Sequence, residues 1–111
     1  GEISEAEELF FAKKYFLKYY NKDTEGNSEN VLGMIYYDEG NHKEAMKWYQ
    51  KAIEKNNLNA KVNLGLLYAE LEDNVKALQW LKRALEDAKK IKDTEKIKDI
   101  QEFIKEIENN S

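Results

Sequence analysis

Two stretches of this chain carry the same pattern 32 residues apart. Leu32-Gly33 falls on Leu64-Gly65, Tyr36 on Tyr68, Ala45 on Ala77, Trp48 on Trp80, and Ala52 on Ala84. A fainter copy lies upstream, where Ala12, Tyr15, Phe16 and Tyr19 precede Ala45, Trp48, Tyr49 and Ala52 by 33 residues. A period in the range of about 20–50 residues marks a repeat architecture, whose units bury their apolar faces only by stacking on neighbours. The chain therefore holds two full units and the second half of an earlier one.

Each unit reads as two helices. Over Glu29–Tyr37, the residues Leu32, Ile35 and Tyr36 share one face by 3/4 spacing, and Gly33 lets a neighbouring backbone approach. Gly40-Asn41 breaks this helix, and Asn41 with Glu44 has the shape of a capping box. A second helix from Lys43 to Lys55 carries the stripe Ala45, Trp48, Tyr49 and Ala52. The next unit repeats the scheme with Leu64, Leu67 and Tyr68, a Glu72-Asp73-Asn74 turn, then Ala77, Trp80, Leu81 and Ala84. Upstream, Ser4 and Glu7 form another capping box, opening a helix to about Tyr20. Lys22–Ser28, with Gly26, reads as a loop. Downstream, Asp93-Thr94 starts a last helix with Ile97, Ile100, Ile104 and Ile107 on one stripe and charges behind it, the pattern of a capping helix. The expectation is one all-α domain over 1–111 with six helices in antiparallel pairs. Its parts are a half-unit helix and loop at 1–28, repeats at 29–57 and 58–92, and a capping helix at 93–111.

Composition narrows the function. Net charge is −4, and the Lys13-Lys14 and Lys89-Lys90 pairs are too small for a phosphate-binding face, so no nucleic-acid binding is expected. Without cysteine and with one histidine, His42, no thiolate or His-cluster metal site can form. Glu39-x-x-His42 has the spacing of a di-iron ligand pair, but Gly40-Asn41 interrupts it and no second pair exists; His42 reads as an exposed turn residue. Carboxylates such as Glu95 and Asp99 alternate with lysines at helical spacing, a solvated pattern. No glycine-rich phosphate loop occurs. No cofactor, no metal and no catalysis are expected. No run approaches the roughly 20 apolar residues of a membrane helix, so no membrane insertion is expected. The opening Gly1-Glu2-Ile3 has no signal-peptide pattern, and Gly1 reads as a tag remnant. Localisation stays open.

The string Leu-Gly-x-x-Tyr, then Ala-x-x-x-aromatic, then Ala, resembles the tetratricopeptide repeat over about residues 29–88. The Ala-x-x-Trp-Tyr-x-x-Ala run at 45–52 and the short linker from Ala52 to Leu64 are also similar to the Sel-one-like repeat. Glu29 and Lys61 depart from the pattern where a Trp is usual, and no proline closes a unit. The resemblance implies a short right-handed α-solenoid and a non-catalytic scaffold that binds a peptide or helix of a partner protein on its concave face. The first helix of each unit would line that face.

On those helices, Asn30, Met34 and Tyr37 form one stripe with Asp38 at its edge, and Val62, Leu66 and Ala69 the corresponding stripe with Glu70 at its edge. Lys98, Glu102 and Lys105 of the last helix could extend it. The surface would be mildly apolar and suit an amphipathic helix or extended peptide. Alternatively, Met34, Val62 and Leu66 simply pack between neighbouring helices. Some members of the family clamp a C-terminal carboxylate with Lys, Arg and Asn; here only Asn63 is similar to a clamp residue, so acidic tails should not bind tightly.

The first helix is crowded with Phe10, Phe11, Tyr15, Phe16, Tyr19 and Tyr20, more than one stripe needs. Three readings stand. A preceding helix is missing, or Phe10 or Phe11 meets a partner or a second copy, or the rings wrap the end of the solenoid. The half-unit at the start motivates the runner-up function: a structural or self-assembling segment of a longer repeat protein or homo-oligomer, with self-association through the N-terminal helix. Trp48 and Trp80 read as core.

Overall fold

The positions that spelled the repeat become helix faces in a computed structural model, which describes residues 4–110. The reading of Gly1 falls outside them. Six α-helices follow one another: α1 (Glu5–Tyr19), α2 (Asn27–Asp38), α3 (His42–Glu54), α4 (Leu58–Glu70), α5 (Asn74–Lys90) and α6 (Thr94–Asn109). A single 3₁₀ turn, Tyr20–Lys22, follows α1, and no strand occurs among the described residues. The chain divides into two compact units, one ending at Asn57 and the other beginning at Leu58.

Local chemistry fixes the helix ends. Ser4, Asn41, Asp73 and Asp93 each cap a helix by accepting the amide three residues on, from Glu7, Glu44, Lys76 and Lys96 at 3.0–3.2 Å. These bonds satisfy donors that a helix start leaves unpaired. The stops share one device. After α2 the Gly40 amide bonds Tyr37 O and the Asn41 amide bonds Tyr36 O, both at 2.9 Å. After α4, Glu72 bonds Ala69 O and Asp73 bonds Tyr68 O, at 3.0 and 2.9 Å. The same pairs recur at Asn56-Asn57 and at Lys92-Asp93. This is a Schellman closure, which needs a left-handed residue. Gly40, Asn56, Glu72 and Lys92 supply it, at φ 78°, 61°, 63° and 57°.

Unit 1 contains α1, α2 and α3. Its core is Leu32, Ile35, Ala45, Trp48, Tyr49 and Ala52, all buried. Gly33 makes the α2–α3 contact tight: a Cβ there would sit 2.5 Å from the Tyr49 ring. The loop before α2 is shorter than the expected Lys22–Ser28, and Ser28 is helical. Asp23 is the reason. Its carboxylate accepts the amides of Glu25, Gly26 and Ser28 at 2.8, 3.0 and 2.6 Å, capping α2 from outside. Partial burial pushes its carboxyl pKa up, but these bonds outweigh that and hold it below the usual carboxylate value. Gly26 lies at φ 77° with a would-be Cβ 2.8 Å from Ala52 O, so only glycine fits.

Unit 2 contains α4, α5 and α6. Ala77, Leu81, Ala84, Ala88, Ile100, Ile104 and Ile107 form its buried cluster, and Leu64 and Leu67 are also buried. Gly65 here plays the part of Gly33, with its would-be Cβ 2.9 Å from Leu81 Cγ. α5 has 17 residues against 13 in α3. The extra turn carries Ala88 into the cluster. Trp80, expected in the core beside Trp48, is only half-buried. The guanidinium of Arg83 lies 4.8 Å from its ring centroid, so the indole serves as a platform on the surface side of α5.

Candidate recognition surfaces

The departure from the repeat pattern at Glu29 and Lys61 has a structural answer. Glu29, on α2, is 1% exposed and pairs with Lys55 at the end of α3. Thirty-two residues on, Lys61 of α4 pairs with Asp87 of α5. The two units thus hold one helix pair each with the same ion pair, its charges exchanged. Lys55 does more than its counterpart: it also donates to the carbonyls of Tyr20, at 3.2 Å, and Asp23, at 2.6 Å. It thereby fastens the turn between α1 and α2 to α3. Sequence reasoning registered the two missing tryptophans but not the partners Lys55 and Asp87, although the opposite signs at matching offsets were there to find.

α1 is tied down at one edge. Lys13 bonds the Glu39 carboxylate at 2.9 Å and lies 4.6 Å from the Tyr36 centroid. The bond to Glu39 raises the Lys13 pKa above its ordinary value, against a smaller opposing effect of desolvation. Glu39 is thereby engaged with a cation, and the His42 ring stacks on Tyr37 at 5.6 Å instead of standing exposed in a turn. Among the described residues no cluster of three or more His, Cys, Asp or Glu is placed to hold a metal ion.

The expected recognition residues divide by unit. On α2, Met34 is 46% exposed and Asp38 is exposed, while Tyr37 is half-buried beneath its contact with His42. Asn30 turns inward, only 8% exposed, with its amide nitrogen 3.9 Å from Met34 Sδ. On α4, Val62, Leu66 and Ala69 are half-buried against the α5–α6 cluster. Leu66, Ala69 and Glu70 also line a recess of about 390 Å³ within unit 2. Asn74, the α6 residues Phe103, Glu106 and Ile107, and Asn110 just past the end of α6 complete it. These α6 residues lie on a different stripe from the expected Lys98, Glu102 and Lys105, which are exposed and do not line it. The stripe that buries Ile100, Ile104 and Ile107 rotates Phe103 toward α4. The recess has an apolar floor, two carboxylates at its edge, and no lysine or arginine among its lining residues.

Helix pairs repeated at fixed spacing, closed by the same turns and locked by glycine at the same crossing, define a helical-repeat protein. Comparison with known families agrees: the tetratricopeptide repeat matches residues 27–57 and again 58–86. The chain belongs to the tetratricopeptide repeat family. That family is one of non-enzymatic protein–protein interaction modules. No curated protein matches the chain. Among the described residues no helix is long and apolar enough to cross a membrane.

Proposed function

We propose that this chain is a non-catalytic scaffold that holds an apolar segment of a partner protein on a first-in-pair helix, seated in unit 2 where α4 meets α6. The recess bordered by Leu66, Ala69 and Phe103 carries the proposal. Its floor can take one bulky side chain, and its edge can take polar ones. Glu70 and Glu106 give it a negative rim, so the favoured segment places a lysine or arginine beside the apolar anchor. A negative rim also repels the acidic C-terminal tails that other members of the family clamp. The helices are ordered by their own caps and core, so binding loses little ordering entropy.

The test uses two synthetic amphipathic helices with the same leucine stripe, one flanked by lysines and one by glutamates. Backbone amide chemical shifts of the isotope-labelled protein are followed as each is added. The lysine peptide should move the signals of Leu66, Glu70 and Phe103, and the Glu70→Lys/Glu106→Lys variant should lose that response. Both glutamates are exposed, and the variant's helical spectrum is compared with that of the original to check its fold. Stronger binding of the glutamate peptide, or shifts that spare this recess, would overturn the reading.

A further inference from the structure

α1 has no buried residue along its 15-residue length. Five large apolar side chains stand out from it: Leu9 at 38% exposure, Phe10 at 60%, Phe11 at 55%, Tyr15 at 58% and Leu17 at 39%. The rings of Tyr15, Phe16 and Tyr19 lean on one another at 4.8–5.4 Å, which accounts for one flank. The other flank is a shallow recess of about 520 Å³ lined by Ala6, Leu9, Phe10, Lys13, Lys14 and Leu17, with Glu39 of α2 at its edge. Ala6, Phe10, Lys13 and Leu17 recur on it at alternating intervals of three and four, the spacing of a helix-pairing seam.

The charges along α1 say what covers this seam. Glu5, Glu7 and Glu8 occupy its first turn, and Lys13, Lys14 and Lys18 lie in its second half. A helix acidic at one end and basic at the other complements itself when two copies run antiparallel. We propose that the α1 seam is an isologous interface with a second copy of this chain, the two α1 helices crossing antiparallel about a two-fold axis near their midpoint. Such an axis sets Ala6 of one copy opposite Leu17 of the other, small against large. It brings Glu5 of each copy near Lys18 of the other. Leu9, Phe10, Leu17 and the edge of Phe11 contribute roughly 400 Å² per copy, less than a stable specific dimer buries, so the contact is a weak, transient one. The dimer is therefore reversible and concentration-dependent. It uses none of the residues proposed to bind a partner.

Sedimentation velocity from about 5 µM to 1 mM tests it. The mass should rise toward that of two chains, and Phe10→Glu should hold the protein monomeric with an unchanged helical spectrum. Glu5→Lys/Glu8→Lys should weaken the dimer, as should Lys14→Glu/Lys18→Glu, while the chain carrying all four changes should recover it. Orientation is read separately. The chain has no cysteine, so mixed Glu5→Cys and Lys18→Cys proteins should cross-link to each other under mild oxidation faster than either does to itself. A monomer at 1 mM, a Phe10→Glu chain that dimerises as well as the original, or preferential self-cross-linking of either cysteine variant would overturn the proposal.

Discussion

Exchanging Glu29 and Lys55 tests whether the reversed ion pairs are equivalent fasteners of one helix pair. Glu29 is almost fully enclosed, at 1% exposure, so its charge depends on Lys55 for compensation. Glu29→Lys places two cations at that point. Breaking a buried pair in this way costs about 3–5 kcal/mol, mostly for the charge left unpaired. Lys55→Asp, bringing two carboxylates together, should cost a similar amount, plus about 1 kcal/mol for each of the carbonyl bonds to Tyr20 and Asp23. The double exchange rebuilds in unit 1 the arrangement that Lys61 and Asp87 already have in unit 2. It should recover about 2–4 kcal/mol relative to the sum of the singles, the balance being the lost carbonyl bonds. The Lys61–Asp87 pair is more open, with side chains 15% and 30% exposed. Its coupling should be smaller, about 1 kcal/mol. Urea unfolding followed by circular dichroism gives the four corners of each cycle. A coupling energy within about 0.5 kcal/mol of zero for Glu29 and Lys55 would refute the argument, because charges in real contact at a buried site cannot be additive.

Two further outcomes follow from single residues. Glu72 closes α4 at φ 63° where its counterpart Gly40 closes α2 at φ 78°; it is exposed, so Glu72→Gly relieves left-handed strain and should stabilise the chain by about 0.5–1 kcal/mol in the same urea assay, with a loss of stability counting against it. Burial, reinforced by the charge of Asp38, pushes the Tyr49 hydroxyl up from 10.0 to about 12. The folded state then keeps a proton that the unfolded chain releases first. The stabilisation is complete below about pH 10 and is lost as pH rises toward 12, by about 2–3 kcal/mol in all. Other groups titrate in the same window, so the informative quantity is the difference from Tyr49→Phe, whose stability should fall less between pH 9 and pH 11; equal falls would sink the assignment.

The parts of this fold legible in the sequence are those set by short-range rules. Asn41, Asp73, Asp93 and Ser4 announced helix starts because capping is a bond between residues three apart. The apolar stripes of α3 and α5 were readable because 3.6-residue periodicity is a property of one helix. The misplacements share a different cause. The loop before α2 looked longer because Asp23, four residues before the first helical residue, also accepts the Ser28 amide five residues on, a longer reach than the usual three-residue cap. Trp80 looked like core because Trp48 is, yet what an indole touches depends on the helix beside it. The place of Phe103 beside α4 was not legible for the same reason: it is set by the packing of Ile100, Ile104 and Ile107.

The two ion pairs show how a repeat can hide a tertiary contact in plain view. In a single unit, Glu29 and Lys55 are merely two charges 26 residues apart, one pair among many in a chain with 22 acidic and 18 basic residues. Only the second copy makes them informative, because Lys61 and Asp87 exchange sign together at the same offset. Either sign satisfies the physics, since what the site demands is a compensating opposite charge, not a particular residue. A tryptophan would fill the same position with apolar surface and no such demand. A charged pair instead makes each helix dependent on its own partner: Lys55 cannot pair with Lys61, nor Glu29 with Asp87. Opposite signs in adjacent repeats therefore discriminate between correct and shifted pairing of four similar helices, where four similar apolar residues would not.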